Sequence, residues 1–204
     1  MKEEQSRQSP PPPSGIWLQD FYRVKKKVLT IGEKYRIEDR SGDLLGFSKQ
    51  KIFKLKEDIR VYTDESMSRE LFKIQQQQII DLWGTFAIMD SNTDAILGYI
   101  RRKAVQSTFA WDEWDVYDAN NQLIGGIHES KGSGLLRKYM PGGMLIPETM
   151  TLKLGGNPVA DINQKFKLIG DIWELECVNL PPQFDRRVLL GALILMAKIE
   201  RKYK

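Results

Sequence analysis

Apolar and polar residues alternate along most of the chain, and this period of two is typical of β-strands with one buried face. Clusters of Gly, Asn, Asp, Ser and Pro separate the alternating stretches and supply turn residues. We therefore predict about twelve short strands, near residues 23–30, 34–39, 44–51, 58–63, 70–78, 84–90, 95–102, 113–118, 123–130, 148–154, 158–165 and 171–178.

The alternation stops near the end of the chain. An unbroken apolar run extends from Val188 to Ala197 and is followed by a group of cations. A helix that is apolar on every side must be enclosed, and this run is about half of the roughly 20 residues that cross a bilayer. We predict a helix beginning near Asp185 as N-cap, buried inside the β-structure through Val188, Leu189, Leu190, Leu193, Ile194, Met196 and Ala197.

A hairpin unit recurs three times. It reads aromatic, any residue, Ile or Val, any residue, Asp, a polar turn, two aliphatic residues and Gly, and its copies begin at Tyr35, Phe86 and Trp114. The aspartates are expected to accept hydrogen bonds from turn amides rather than to act as catalytic carboxylates. The glycines after the aliphatic pairs are expected to mark bulges or strong bends. Such curvature favours a closed barrel, which has few exposed strand edges.

Composition indicates a single domain of ordinary globular character. The chain has 204 residues, of which 41% are hydrophobic and 28% charged, with a net charge of +4. The positive charge fits either anionic partners or a solvated surface with spare lysines. Residues 1–20 are expected to form a flexible tail in which Pro10–Pro13 is a spacer or docks on a partner. The first residues show no apolar signal core, and we expect the protein in the cytoplasm.

The repeated hairpin, the twelve strands and the final apolar helix together resemble the tubby-carboxyl-terminal-like superfamily, and within it LURP-one-related proteins and phospholipid scramblases. The resemblance spans residues 21–204. It implies a twelve-stranded barrel threaded by its own carboxyl-terminal helix. Its members are linked to phosphoinositide binding, to lipid scrambling or to poorly defined roles.

The chain departs from the scramblases in two respects. It has no cysteine cluster for acylation upstream of the barrel, because Cys177 is the only cysteine. The segment before the final helix, residues 179–185, contains the single carboxylate of Asp185, whereas calcium takes about six to eight oxygen ligands. Calcium-triggered scrambling is therefore not expected, and scrambling without a calcium loop is kept as an alternative.

Resemblance to tubby proteins, which bind phosphoinositide through basic residues on a strand, implies a lipid-headgroup site at Arg101, Arg102 and Lys103. Strand alternation would turn Arg101 and Lys103 to one face and Arg102 to the other. Paired cations on an outer face can bind a phosphorylated headgroup.

A second group of cations could extend this site. The lysines Lys49, Lys51, Lys54 and Lys56 interleave with apolar residues and, together with Lys25–Lys27, could form a membrane-facing patch. The same lysines are equally explained as protection of edge strands against aggregation. Phe109, Trp111 and Trp114 could anchor at a membrane interface or pack into the barrel wall.

The sequence offers no ordered set of catalytic groups. His128 is the only histidine and Cys177 the only thiol, so neither a metal cluster nor a nucleophile–base pair is expected. We expect a non-enzymatic protein without cofactor or transmembrane span. It would bind anionic phospholipid headgroups, in the cytoplasm or at the inner face of the membrane. The alternative is an interaction scaffold that uses the Pro-rich tail or the barrel rim, and nucleic acid is not an expected partner.

Overall fold

The computed structural model describes residues 15–28, 30, 32–50, 57–77, 84–103, 113–129, 147–165 and 172–199. Within these residues, twelve strands and one terminal helix follow a short 3-10 helix, Gly15–Leu18. They are β1 (Phe21–Lys27), β2 (Lys34–Glu38), β3 (Leu44–Gln50), β4 (Asp58–Tyr62), β5 (Glu70–Gln76), β6 (Thr85–Asp90), β7 (Ile96–Arg102), β8 (Glu113–Tyr117), β9 (Leu123–Glu129), β10 (Thr149–Leu154), β11 (Asn157–Lys165), β12 (Ile172–Cys177) and α1 (Arg186–Ile199).

The strands form a closed antiparallel barrel. Each strand pairs with its neighbours in chain order, and β1 also pairs with β12, from Phe21 opposite Glu176 to Lys25 opposite Ile172. Closure leaves none of the twelve described strands as an edge. The predicted mainly β fold is confirmed.

The strands of the repeated hairpin form part of the barrel wall, and their glycines lie where the strands bend. Its aromatic and aliphatic positions point inward and are buried, as at Phe86 and Ile88. The glycine lies opposite the aliphatic residue, Gly98 opposite Ile88, and the register shifts immediately afterwards. A Cβ at Gly98 would lie 2.7 Å from the carbonyl oxygen of Tyr117. The glycine thus permits close strand approach at a bulge, as predicted.

The terminal helix α1 lies inside the barrel. It contacts β1 and β12 on one side and β6 and β7 on the other, and β1 and β7 are six strands apart in the ring of twelve. The residues predicted to be buried are at most 4% exposed: Val188, Leu189, Leu190, Leu193, Ile194, Met196 and Ala197. Burial on all sides explains why the helix carries no polar stripe.

Ion pairs hold both ends of α1. At its start Asp185 accepts a hydrogen bond from the Arg187 amide at 2.9 Å, and the Arg187 guanidinium also binds Asp90. At its end the buried Lys198 binds Glu57. Burial alone would raise the pKa of Asp90, but the Thr93 amide and Arg187 lower the pKa of this carboxyl below its usual value.

The packed part of the chain begins within the predicted tail. Trp17 is buried and its ring meets Phe72 edge-on, with centroids 5.7 Å apart. The 3-10 helix thus joins the core at residues 15–18. Residues 1–14, with Pro10–Pro13, lie outside the described residues.

The two ends of the barrel differ. The turn end holds the short connections at residues 39–43, 63–69, 91–95, 118–122 and 155–156, and the start of α1. The far end holds the last residues of β1, β3, β7 and β9 and the end of α1. The repeat aspartates act at the turn end as predicted: Asp39, Asp90 and Asp118 each accept hydrogen bonds from turn amides.

Candidate anion-binding surface

Arg101 and Lys103 lie on the outer wall, where each already has partners. Arg101 donates hydrogen bonds to Thr85 Oγ1 and Tyr117 Oη, each at 3.0 Å, and stacks over the Tyr117 ring. Lys103 Nζ is 3.1 Å from Asp115 and 3.3 Å from Glu113. The hydrogen bond to Asp115 raises the pKa of Lys103. The cations Arg101 and Lys103 of this predicted site thus already interact with a neighbouring tyrosine and with neighbouring acidic side chains.

Arg102 takes the opposite direction, as strand alternation predicts. It lies opposite Trp114 across β7 and β8, and its guanidinium is over the Trp114 ring at 5.7 Å. Trp114 is fully buried in the wall, so it packs in the barrel and is not an interfacial anchor. Phe109 and Trp111 lie outside the described residues.

Lys49 belongs to a larger feature that the sequence did not reveal. It lies opposite Lys34 on β2 and opposite Arg60 on β4. Lys34 in turn lies opposite Lys27, and Arg60 lies opposite Lys73. We call this set the basic row: Lys27, Lys34, Lys49, Arg60 and Lys73, one from each of β1 to β5, all in direct cross-strand register.

Acidic side chains neutralise three members of the basic row, Lys27, Arg60 and Lys73. Lys27 pairs with Glu65, and Lys73 pairs with Asp94. Arg60 binds Asp58 through two nitrogens and Glu70 at 2.8 Å, and the bond to Asp58 raises the pKa of Arg60.

Lys34 and Lys49 differ from the other members. Among the residues that the structure describes, neither has an acidic partner, although both are only partly exposed. Like charges directly opposite each other on two strands destabilise a sheet. The centre of the basic row therefore carries uncompensated positive charge on the outer wall.

Closure of the barrel bears on one of the two explanations of these lysines, the protection of an edge strand. Protection of an edge strand requires an unpaired edge, and β3 pairs with both β2 and β4. Edge protection therefore does not account for Lys49. Lys51, Lys54 and Lys56 lie outside the described residues.

Lys34, Arg60 and Lys73 were missed because the sequence does not give the register. Each is an unremarkable cation in its own strand, and only the pairing of five strands brings the five together. The patch considered for Lys25–Lys27 and Lys49 requires the two runs to be close, and Lys34 of β2 lies between Lys27 and Lys49.

The Cys177 thiol and the His128 imidazole lie on different strands of the barrel, β12 and β9. Burial raises the pKa of the Cys177 thiol at the turn end, whereas His128 is on β9 with Nδ1 3.6 Å from Glu113. In the described parts of the chain, no three His, Cys, Asp or Glu side chains are grouped as metal ligands require. No helix within those parts has both the length and the apolar character needed to span a bilayer.

The sequence pattern of the LURP-one-related family matches residues 45–197. The match runs from β3 through nearly all of α1, and β1 and β2 precede it. No curated protein matches the chain. With most of the barrel and its central helix inside the match, the chain belongs to the LURP-one-related family of the tubby-like superfamily.

Proposed function

We propose that this protein is non-enzymatic and binds anionic phospholipid headgroups at a membrane surface through the basic row. Membership of the family suggests a tubby-like lipid-binding domain. The observation that carries the proposal is the cross-strand register of five cations on the outer wall. A lysine near an anionic membrane contributes about 1 kcal/mol of binding free energy.

Because the barrel wall is curved, the centre of the basic row would contact a flat membrane surface first. The row spans five of the twelve strands of a closed wall, so its ends curve away from any flat surface that touches its middle. Lys34 and Lys49 lie near that middle. They also lack acidic partners among the described residues, so no internal ion pair must break when they meet a headgroup.

An exposed apolar side chain adjoins the row. Val28 follows Lys27 at the far end and is 39% exposed. Apolar groups beside cations favour insertion into the boundary between headgroups and acyl chains. Val28 therefore adds a hydrophobic contribution next to the electrostatic one.

Arg101, Arg102 and Lys103 stay in the proposal as a flanking region. Arg101 and Arg102 end β7 and Lys103 follows it. Because β7 is four strands from β3 in the ring, one flat surface cannot meet both regions equally. Because Lys103 already pairs with Asp115 and Glu113, we expect Lys103→Gln to weaken binding less than Lys49→Gln.

Vesicle co-sedimentation tests the proposal. The full chain should pellet with vesicles of phosphatidylcholine plus phosphatidylserine and stay in solution with phosphatidylcholine alone. Binding should fall steeply as salt shortens the Debye length from about 10 Å at 0.1 M towards 3 Å at 1 M. The double variant Lys34→Gln with Lys49→Gln should lose most of the binding.

Lys153→Gln is the matched control for the single variant Lys49→Gln. Lys153 is an exposed lysine on the outer wall of β10, five strands from β3. It removes one charge outside the row and should leave pelleting nearly unchanged. Equal pelleting with neutral and anionic vesicles would contradict the proposal.

A further inference from the structure

We infer that Lys34 and Lys49 together form a binding site for one phosphate monoester dianion. The inference names the chemistry of the proposed lipid site, and it rests on the proposed function only for a membrane source of that phosphate. The same chemistry is present in a phosphomonoester lipid headgroup and in a soluble phosphomonoester.

The backbone pairing brings these two side chains close. The Gln50 amide donates to the Glu33 carbonyl at 3.1 Å, so residues 33 and 50 are a hydrogen-bonded pair. In an antiparallel ladder the next pair, Lys34 and Lys49, is then of the non-hydrogen-bonded type. Such pairs have Cα atoms about 4.5 Å apart with the side chains closest. Two ammonium groups can therefore reach one phosphoryl group from the same face.

The charged residues around Lys34 and Lys49 form ion pairs with one another. Across β1 and β2, Lys25 and Arg36 both bind Glu38, and Arg36 also binds Glu65. On β4, Asp58 lies diagonal to Lys49 but is buried and occupied by Arg60. Among the described residues of this part of the wall, these ion pairs leave the positive charges of Lys34 and Lys49 without an acidic partner.

A monoester matches this charge better than a diester does. A phosphate monoester carries about −1.5 to −2 charges at pH 7 and three acceptor oxygens. A phosphodiester carries a single charge and has only two unesterified oxygens. One lysine would then remain uncompensated beside the other. The pair is therefore expected to prefer the monoester.

The close approach of the two lysines has a measurable consequence for stability. Repulsion between two directly opposite lysines destabilises the unliganded barrel, and removing either charge relieves it. Lys34→Gln and Lys49→Gln should therefore each raise Tm without ligand and lose the stabilisation by ligand. A residue with a purely structural role would show the opposite pattern, a lower Tm.

Thermal unfolding with soluble probes tests the site directly. Glycerol 3-phosphate should raise the Tm of the wild-type chain and of Lys153→Gln, and dimethyl phosphate, a diester with a single negative charge, should not. Lys49→Gln should show no rise with either probe. A rise that persists in Lys49→Gln, or a lower Tm for both glutamine variants without ligand, would overturn the inference.

Vesicles separate this inference from the proposed function. At equal surface charge, phosphatidic acid vesicles should bind the wild-type chain about tenfold more tightly than phosphatidylglycerol vesicles, as expected for one extra charged hydrogen bond. Lys34→Gln or Lys49→Gln should abolish that preference. Equal binding to both lipids would overturn the inference and leave the proposed function standing. A glycerol 3-phosphate response without any vesicle binding would support the site and overturn the membrane function.

Discussion

Asp90 and Asp118 occupy the same position of the repeated hairpin but have different partners. Both accept hydrogen bonds from turn amides, and only Asp90 also binds the buried guanidinium of Arg187. Asp185 also binds the Arg187 guanidinium, so Asp90→Asn weakens a charge-assisted hydrogen bond without leaving Arg187 unpaired. The variant should therefore lower the free energy of unfolding by about 1.5–3 kcal/mol in urea titrations. Asp118→Asn is the control and should stay within about 1 kcal/mol of wild type.

The same carboxylate makes stability depend on acid pH. The folded-state pKa of Asp90 is below its usual value because the Thr93 amide and Arg187 outweigh the opposing effect of burial. Its contribution is therefore complete above the unfolded-state pKa of about 3.9 and is lost as the pH falls through the lower folded-state pKa. Urea unfolding between pH 5 and pH 2 should show a smaller acid loss in Asp90→Asn than in wild type. Equal losses would contradict this assignment.

The turn hydrogen bonds of these aspartates could be predicted from the sequence, but the ion pair of Asp90 could not. Their turn role was predictable because a capped amide lies within a few residues of its carboxylate. The partner Arg187 was not predictable, because it is far away in the chain and the contact depends on how the helix enters the barrel.

Among the elements, the repeated hairpin offers a matched pair of glycines. A Cβ at Gly98 would meet the Tyr117 carbonyl at 2.7 Å and Val188 of α1 at 3.1 Å, whereas one at Gly46 would meet the Tyr62 carbonyl at 3.2 Å. Gly98→Ala must displace backbone and helix together and should cost about 1–3 kcal/mol. Gly46→Ala should cost clearly less, as measured by urea midpoints. Equal urea midpoints for the two variants would contradict a closer backbone contact at Gly98 than at Gly46.

Strand and helix positions could be predicted because alternation and turn residues are local signals. The helix was clear since its apolar run has no polar side. Cross-strand rows could not be predicted, because a shift of one residue in register moves every side chain to the other face. Bulges add such shifts at several hairpins, as between Ile37 and Glu38 and between Val61 and Tyr62. Lys34 opposite Lys49 is therefore a finding of the structure.

At the scale of the whole molecule, charge is distributed unevenly between the two ends of the barrel among the residues that the structure describes. The connections at the turn end carry Asp39, Asp43, Asp64 and Asp118 against Arg40 and Arg69, in addition to Glu65 and Asp94, which pair with Lys27 and Lys73. The basic row begins at the far end, with Lys27, Lys34 and Lys49. An anionic surface would attract the far end and repel the turn end, so the barrel should bind membranes in one orientation.

Two exposed apolar residues can report that orientation. Val28 is beside the basic row, and Leu123, 61% exposed, is at the turn end. Val28→Cys and Leu123→Cys, each in a Cys177→Ser background, would carry an environment-sensitive fluorophore on the full chain. With anionic vesicles the label at residue 28 should shift to shorter emission wavelength, because it enters the boundary region. The label at residue 123 should not change. A shift at residue 123 alone would reverse the orientation and remove the basic row from the membrane contact.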